Sequence, residues 1–186
     1  NPRKGKIVCY GTSIMQGGCA SRTGMVSTSM IQREYNFECV NLATSGEGKM
    51  DYYMARAMAT IEDAICYVID PIPNCTRDMC DTLTYGFIKI LRTLRPEVPI
   101  IMVEGPIYPY ARHDNFFKKY LPQKNEAWRK NYERLKAENP KGLYYVPCDD
   151  LTGPNMDGTV EGIHFTDYGF RAYADILEIY IKQALD

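Results

Sequence analysis

Four short polar segments of the chain carry the side-chain types that acyl transfer requires. They are Gly11-Thr12-Ser13, Ser45-Gly46, Asn74 and Glu161-Gly162-Ile163-His164. A serine hydroxyl is a weak nucleophile until a base removes its proton. The sequence contains two histidines, His113 and His164, so an imidazole base must be one of them. Glu161 lies three positions before His164 and could orient the second nitrogen of that ring.

The tetrahedral intermediate of acyl transfer also needs hydrogen-bond donors for its oxyanion. The candidates are the backbone N–H of Ser13, the backbone N–H of Gly46 and the side-chain amide of Asn74. Losing one such donor typically costs about 3–4 kcal/mol of transition-state stabilisation. Each segment is a weak signal alone, because such turns are common, and the signal comes from finding all of them in one chain.

The elements that must bring these segments together are visible as apolar runs. Such runs predict strands at residues 6–10, 39–42, 64–69, 100–103 and 143–146. Helical spacing predicts helices over about 23–35, 83–94, 128–135 and 170–184. Apolar strands separated by helices favour an α/β fold, a three-layer α/β/α sandwich around a five-stranded parallel sheet. The polar segments would then meet at the carboxyl edge of the sheet.

One long polar stretch, residues 112–124, interrupts these elements, and we expect it to form a loop. Such a loop would either cover the site or be solvated. No repeat, low-complexity tract or linker is present, so residues 1–186 are expected to form one domain.

The overall composition excludes several classes of function. The chain has 186 residues, a formal net charge of -1 and 24% charged residues. This balance gives no electrostatic attraction to nucleic acid. The longest apolar runs fall well short of the ~18 residues of a membrane span. Fifteen tyrosines suit either a sugar-binding surface or a partly hydrated core.

The cysteines and the first residue bear on cellular context. Seven cysteines cannot all pair within one chain, and without a C-x-x-C motif a zinc ribbon is disfavoured. Cys75 and Cys80 are close enough in sequence to be bridged, which the sequence leaves open. The start at Asn1 indicates either a removed targeting segment or a fragment, which favours a secreted or envelope protein. The odd number of cysteines is a mild argument against that location.

The order of these segments resembles the four sequence blocks of the SGNH (GDSL-like) hydrolases. Gly11-Thr12-Ser13-Ile14, Ser45-Gly46, Asn74 and Glu161-x-x-His164 follow the family's order over nearly the whole chain. The stretch from Tyr10 to Arg22, YGTSIMQGGCASR, is similar to one branch of the family. Asn41-Leu42 and Pro73-Asn74 fit the same branch.

This resemblance implies specific roles. Ser13 would be the nucleophile and His164 the base, with Ser13, Gly46 and Asn74 forming the oxyanion hole. It further implies a flavodoxin-like sheet and esterase activity without a metal or other cofactor. Proteins of this branch often carry an N-terminal β-sandwich domain, so the chain would be a catalytic domain trimmed from such a protein.

One departure from the family pattern concerns the acid. The family has Asp three residues before the histidine, whereas this chain has Glu161. The side chain is longer by one methylene, so the loop must retreat or the side chain must fold back. Asp157 is a competing orienter, and a Ser-His dyad without an acid is a third alternative.

Two further residues could contact substrate, although both could equally be ordinary surface residues. Arg22 follows the nucleophile segment and could bind a hydroxyl or carboxylate. His113 lies in the polar stretch and could contact substrate.

The function expected is hydrolysis of small acyl esters, with an O-acetyl group on a carbohydrate as the substrate. The alternatives are a lipid or thioester acylhydrolase and a catalytically weak carbohydrate-binding module. A phosphate loop at residues 43–50 is excluded because Ala43 and Met50 replace required residues. Without a G-x-S-x-G motif, an ordinary α/β-hydrolase is disfavoured.

Overall fold

A parallel β-sheet forms the centre of the molecule, in a computed structural model that describes residues 3–186. The start at Asn1 lies outside the described residues. The strands are β1 (Lys6–Gly11), β2 (Glu38–Asn41), β3 (Ala64–Asp70), β4 (Ile100–Val103) and β5 (Leu143–Val146). Their order is β2-β1-β3-β4-β5, and every neighbouring pair is parallel. The predicted fold class is confirmed, and the predicted strands agree with the observed ones to within a residue at either end.

Helices cover both faces of this sheet. They are α1 (Ser13–Gln16), α2 (Ser27–Tyr35), α3 (Tyr52–Ala59), α4 (Arg77–Thr82), α5 (Thr84–Leu94), α6 (Asn115–Glu138) and α7 (Asp167–Leu185). Apolar residues of α1, α2, α7 and the start of α6 pack in one buried cluster, and those of α3 to α5 and the rest of α6 pack in another. The structure is therefore a three-layer sandwich.

Successive side chains of each strand alternate between the two clusters. Cys9 of β1 and Val68 of β3 face the first cluster, whereas Val8 and Tyr67 face the second. Because successive side chains of a strand point to opposite faces, strands that are apolar at every position must be covered on both sides. This is why continuous apolar runs predicted the architecture.

The stretch at residues 112–124 is not a loop, and that prediction was wrong. Helix α6 begins at Asn115, where the Asp114 side chain caps it by accepting from the N–H groups of Phe116 and Phe117. Leu121 is buried, and the Phe117 ring packs edge-on against Tyr110 at a centroid distance of 4.9 Å. These contacts bury apolar surface that the polar composition concealed.

The strand order reverses beside Ser13, and a crevice is expected at that point. The connection after β1 leads to β2 on one side, whereas β3 pairs with β1 on the other side. Loops diverge where the strand order reverses in this way, and open α/β sheets bind ligands at that point. The segments that follow β1 and β3 border the crevice. Among the described residues, no helix is long and apolar enough to cross a membrane.

Candidate active site

Ser13 lies at the end of β1, where α1 begins. The Thr12 side chain caps this helix by accepting from the N–H of Ile14 at 3.4 Å. Thr12, Ile14 and Met15 are buried, while Ser13 itself is half-buried. Buried neighbours on both sides hold the Ser13 backbone and leave its hydroxyl at the surface of the crevice.

A continuous chain of hydrogen bonds joins Ser13, His164 and Glu161. Ser13 Oγ lies 2.8 Å from His164 Nε2, and His164 Nδ1 lies 2.6 Å from Glu161 Oε1. The carboxylate can only accept, so it fixes the neutral imidazole with its proton on Nδ1. Nε2 then has a free lone pair directed at the Ser13 hydroxyl.

A tight turn carries both the acid and the imidazole. Thr159 and Phe165 pair as an antiparallel bridge, and the Val160 N–H donates to the His164 carbonyl at 2.8 Å. Gly162 has a φ of +94° within this turn, a conformation that a residue with a Cβ rarely adopts.

The Glu161 side chain folds back over this turn. Its Oε1 accepts from the backbone N–H of His164 at 2.8 Å as well as from the ring. The longer side chain is therefore accommodated by bending rather than by a retreat of the loop. Asp157 is exposed, and it is Glu161 that the structure places on His164 Nδ1.

The environment of Glu161 favours the ionised carboxylate. Burial acts to raise its pKa, but hydrogen bonds from the backbone and ring of His164, together with attraction to that ring, outweigh burial. The pKa of Glu161 is consequently lower than usual. The carboxylate is charged at neutral pH and can stabilise an imidazolium beside it.

The three donor candidates are not engaged elsewhere. Within residues 3–186, no protein group accepts the N–H of Ser13 or of Gly46. Asn74 follows β3 in a short 3-10 helix; its amide nitrogen, which would be the donor, makes no hydrogen bond to a described residue, and its buried Oδ1 is an acceptor without a partner among them. These groups are available for a ligand, whereas most buried polar groups in proteins are already hydrogen-bonded.

A close backbone contact holds the Gly46 turn against the Ser13 segment. A methyl group added to Gly48 would lie 2.3 Å from the carbonyl oxygen of Gly11. The Gly48 N–H donates to the carbonyl of Thr44 at 3.1 Å, which closes the turn around Gly46. Glycine at position 48 therefore allows the turn to approach the end of β1.

A buried acid lies below the Asn74 segment. Asp70 ends β3, and its Oδ2 accepts from the Tyr173 hydroxyl of α7 at 2.6 Å. Burial raises the pKa of Asp70 to about 8, although the Tyr173 bond and the Lys124 charge act to lower it. Lys124 of α6 donates to the Pro73 carbonyl at 3.4 Å, next to Asn74.

These supporting residues were not predicted from the sequence. Asp70 ends an apolar strand, which is a signal that could have been noticed. Lys124 gave no usable signal, because it lies in the stretch that was predicted as a loop. Cys19 received no role, yet its Sγ lies within 4.8 Å of ligand atoms of Glu161 and His164.

The two proposed substrate contacts are both exposed. Arg22 precedes a 3-10 helix on the Ser13 side of the crevice. His113 ends another 3-10 helix, Pro109–Arg112, and its N–H donates to the Tyr110 carbonyl at 3.0 Å. A methyl group at Gly162 would lie 3.1 Å from the Tyr110 ring, so this segment borders the turn that carries Glu161.

Solved structures share this fold. A Bacteroides ovatus protein described as a GDSL-like lipase is 34% identical and superposes with a TM-score of 0.93 over 100% of this chain and 55% of that chain. The salicylyl-acyltransferase SsfX3 of a tetracycline biosynthetic pathway is 17% identical, with a TM-score of 0.80 over 100% and 57%. A Clostridium thermocellum family two carbohydrate esterase, solved with cellohexaose, is 16% identical, with a TM-score of 0.77 over 100% and 66%.

What these similarities establish depends on how much of each matched protein the chain covers and on whether a family model matches its sequence. The chain spans about half the length of the first two proteins. No curated protein sequence matches it. A family model does match, over residues 4–182. The chain therefore belongs to the GDSL-like lipase/acylhydrolase family, the SGNH hydrolases.

Proposed function

We propose that the protein is a serine esterase that removes small acyl groups, chiefly O-acetyl groups, from carbohydrate. The observation that carries this proposal is the hydrogen-bonded chain Ser13–His164–Glu161. Membership of the acylhydrolase family supports hydrolysis of an ester as the reaction. Residues 1–186 would form one catalytic domain.

The first half-reaction forms an acyl-enzyme. Ser13 Oγ attacks the carbonyl carbon of the ester while His164 Nε2 takes the hydroxyl proton. The N–H groups of Ser13 and Gly46 and the amide of Asn74 hold the oxyanion. The imidazolium, stabilised by Glu161, then gives its proton to the leaving alcohol oxygen as the C–O bond breaks.

The second half-reaction restores the enzyme. His164 Nε2 removes a proton from a water molecule, which attacks the acyl carbon. The oxyanion is held by the same three donors, and the proton returns to Ser13 Oγ as the acid leaves. Every proton in this cycle is carried by His164, so the cycle needs no metal or other cofactor.

Two observations support a carbohydrate as the alcohol part of the ester: the proteins that share the fold, and the exposed polar side chains Arg22 and His113. The Clostridium thermocellum neighbour is a carbohydrate esterase solved with cellohexaose, although at 16% identity it shares the fold alone. Arg22 and His113 are exposed and could hydrogen-bond to sugar hydroxyls. The half-buried Tyr110 ring, stacked on the buried Tyr108, adds an aromatic face near the Glu161 turn.

The test compares p-nitrophenyl esters from acetyl to octanoyl, using wild type and Ser13→Ala. We expect turnover that is fastest with acetyl and is lost in Ser13→Ala. Ser29→Ala, the same change on the half-buried Ser29 of α2, is the matched control and should keep full activity. A fluorophosphonate probe should label wild type on the peptide that contains Ser13 and should not label Ser13→Ala.

Acetate release from acetylated oligosaccharides then tests the substrate class. Faster turnover of octanoyl than of acetyl esters would favour the lipid acylhydrolase. Equal activity in wild type and Ser13→Ala would exclude Ser13 as the nucleophile. Saccharide binding that survives in Ser13→Ala, with no turnover by wild type of any ester, would favour a binding module.

A further inference from the structure

One thiol lies beside the imidazole and the acid of the site. Cys19 Sγ, a carboxylate oxygen of Glu161 and a ring nitrogen of His164 all lie within 4.8 Å of one another. All seven cysteines fall within the described residues, and Cys19 is the exposed one among them. The reaction cycle above assigns it no task.

The segment that carries Cys19 is held against the site at both ends. The Gly18 N–H donates to the Ser13 carbonyl at 2.8 Å, and a methyl group at Gly18 would lie 3.3 Å from His164 Cδ2. On the other side, the Ser21 N–H and hydroxyl donate to the Asp167 carboxylate at 3.0 and 2.5 Å. Cys19 has a φ of +71° between these anchors. The thiol is therefore kept near the imidazole.

We propose that Cys19, Glu161 and His164 form an inhibitory binding site for a borderline-soft divalent cation, of which Zn²⁺ is the best match. Thiolate, imidazole and carboxylate are the three ligand types that Zn²⁺ takes from proteins, and three protein ligands with a water molecule complete a tetrahedral site. Mg²⁺ and Ca²⁺ prefer oxygen ligands, so they should bind far more weakly.

The separations are close to those of such a site. Metal–ligand bonds of about 2.0–2.3 Å place tetrahedral ligands roughly 3.3–3.7 Å apart. Separations of up to 4.8 Å therefore have to shrink by as much as about 1 Å, and the 2.6 Å between His164 Nδ1 and Glu161 Oε1 has to widen by a similar amount if both atoms bind the ion. Cys19 and Glu161 are exposed, so rotation of their side chains can supply this movement without disturbing the core.

Cation binding at either ring nitrogen removes the base. A cation on Nδ1 takes the place of the proton that Glu161 accepts, so the proton of the neutral ring moves to Nε2 and faces Ser13. A cation on Nε2 occupies the lone pair that would receive the Ser13 proton. In both cases His164 can no longer activate the serine.

Binding is measured first on Ser13→Ala, which separates this proposal from the proposed function. We titrate Zn²⁺ by calorimetry and Co²⁺ by absorbance, since a thiolate bound to Co²⁺ gives a charge-transfer band in the near ultraviolet. We expect one cation per chain and a thiolate band. Cys19→Ser in the same background should abolish the band and weaken Zn²⁺ binding by more than about a hundredfold, because losing a ligand exceeds the loss of an outer partner.

The control is Cys39→Ser in the same background, which alters a half-buried cysteine of β2 and should bind like its parent. In the enzyme with Ser13 intact, Zn²⁺ should inhibit ester hydrolysis, a chelator should reverse the inhibition, and Cys19→Ser should turn over normally and resist Zn²⁺. Equal Zn²⁺ binding with and without Cys19, or no thiolate band with Co²⁺, would overturn the proposal even if the esterase activity is real.

Discussion

The two sides of the candidate site are held in place by different means. On the Ser13 side, Thr12, Ile14 and Met15 are at most 1% exposed, so packing fixes the backbone. On the opposite side, Val160 and Ile163 are 58% and 37% exposed, and the turn depends on its hydrogen bonds. The Ser13 side is thus part of the core, whereas the Glu161 turn is a surface feature anchored at the buried Phe165. Damage to the first side should reduce both folding and activity, and damage to the second should reduce activity alone.

The largest effect expected from this comparison is the loss of kcat when the Glu161 carboxylate is removed. Glu161→Ala leaves the His164 ring without its orienting partner, and the corresponding loss in a Ser-His-Asp triad is about ten-thousandfold in kcat. We expect kcat to fall by between about a hundredfold and ten-thousandfold, with an unchanged Tm. Steady-state kinetics and thermal melts check both points. Asp157→Ala is the matched control, and a larger loss there would reassign the acid.

On the Ser13 side, by contrast, an added methyl group should lower the free energy of unfolding. Gly48→Ala places a methyl 2.3 Å from the Gly11 carbonyl oxygen, and backbone atoms cannot move away as a flexible side chain would. We expect a loss of about 3 kcal/mol in the free energy of unfolding, with lower activity. Gly46→Ala meets no atom within 4 Å and is strained only by its φ of +75°, so about 1–2 kcal/mol should be lost. Urea unfolding measures both, and the reverse order would contradict the packing argument.

The buried acid of the packed side should make stability depend on pH. Asp70 titrates near 3.8 when unfolded and near 8 when folded, so between these values the folded chain holds a proton that the unfolded chain has lost. The free energy of unfolding should therefore fall as pH rises from about 4 to 8, by at most about 1.4 kcal/mol per pH unit. Asp70→Asn should remove this contribution. Tm measured at several pH values tests it, and parallel curves for the two proteins would count against a raised pKa.

The smallest effect should come from the contact between Ser21 and Asp167, which joins the two sides of the candidate site. Ser21→Ala removes the hydroxyl bond to Asp167 but keeps the backbone bond, so about 1 kcal/mol or less should be lost. We expect kcat to change by only a few-fold, because Ser13 and His164 retain their own anchors. Asp167→Ala removes both bonds and should cost more. Equal effects of the two variants in paired kinetic and melting measurements would show that the hydroxyl bond alone maintains the contact between Ser21 and Asp167.

The sequence predicted the sheet better than it predicted the helices. The strand at residues 100–103 was recognisable because every one of its residues is apolar, as burial on both faces demands. Helix α3 was not predicted, although Ala55 and Met58 form its buried side and Asp51 caps it. Short helices of this kind depend on tertiary contacts more than on their own pattern, so little of the signal is local.

The residues of the candidate site also differ in how well the sequence predicted their positions. The segments that contain Ser13, Gly46 and Asn74 follow strands, so parallel pairing alone predicted that they would meet. The contact of Glu161 with His164 followed from their spacing and the family resemblance. The positions of Cys19 and Lys124 depend on how separate loops and helices approach each other in space, which no spacing in the sequence reveals.

The bond between Ser13 and His164 spans 151 positions of the chain, and this has a consequence for biogenesis. Ser13 emerges from the ribosome before His164, which follows only after all five strands of the sheet have been synthesised. Closing so large a loop is favourable only when α7 docks on the sheet and supplies contacts to offset the lost chain entropy. Under the proposed function, hydrolysis would begin only once this long-range contact has formed, so the appearance of activity would report that α7 has docked on the sheet.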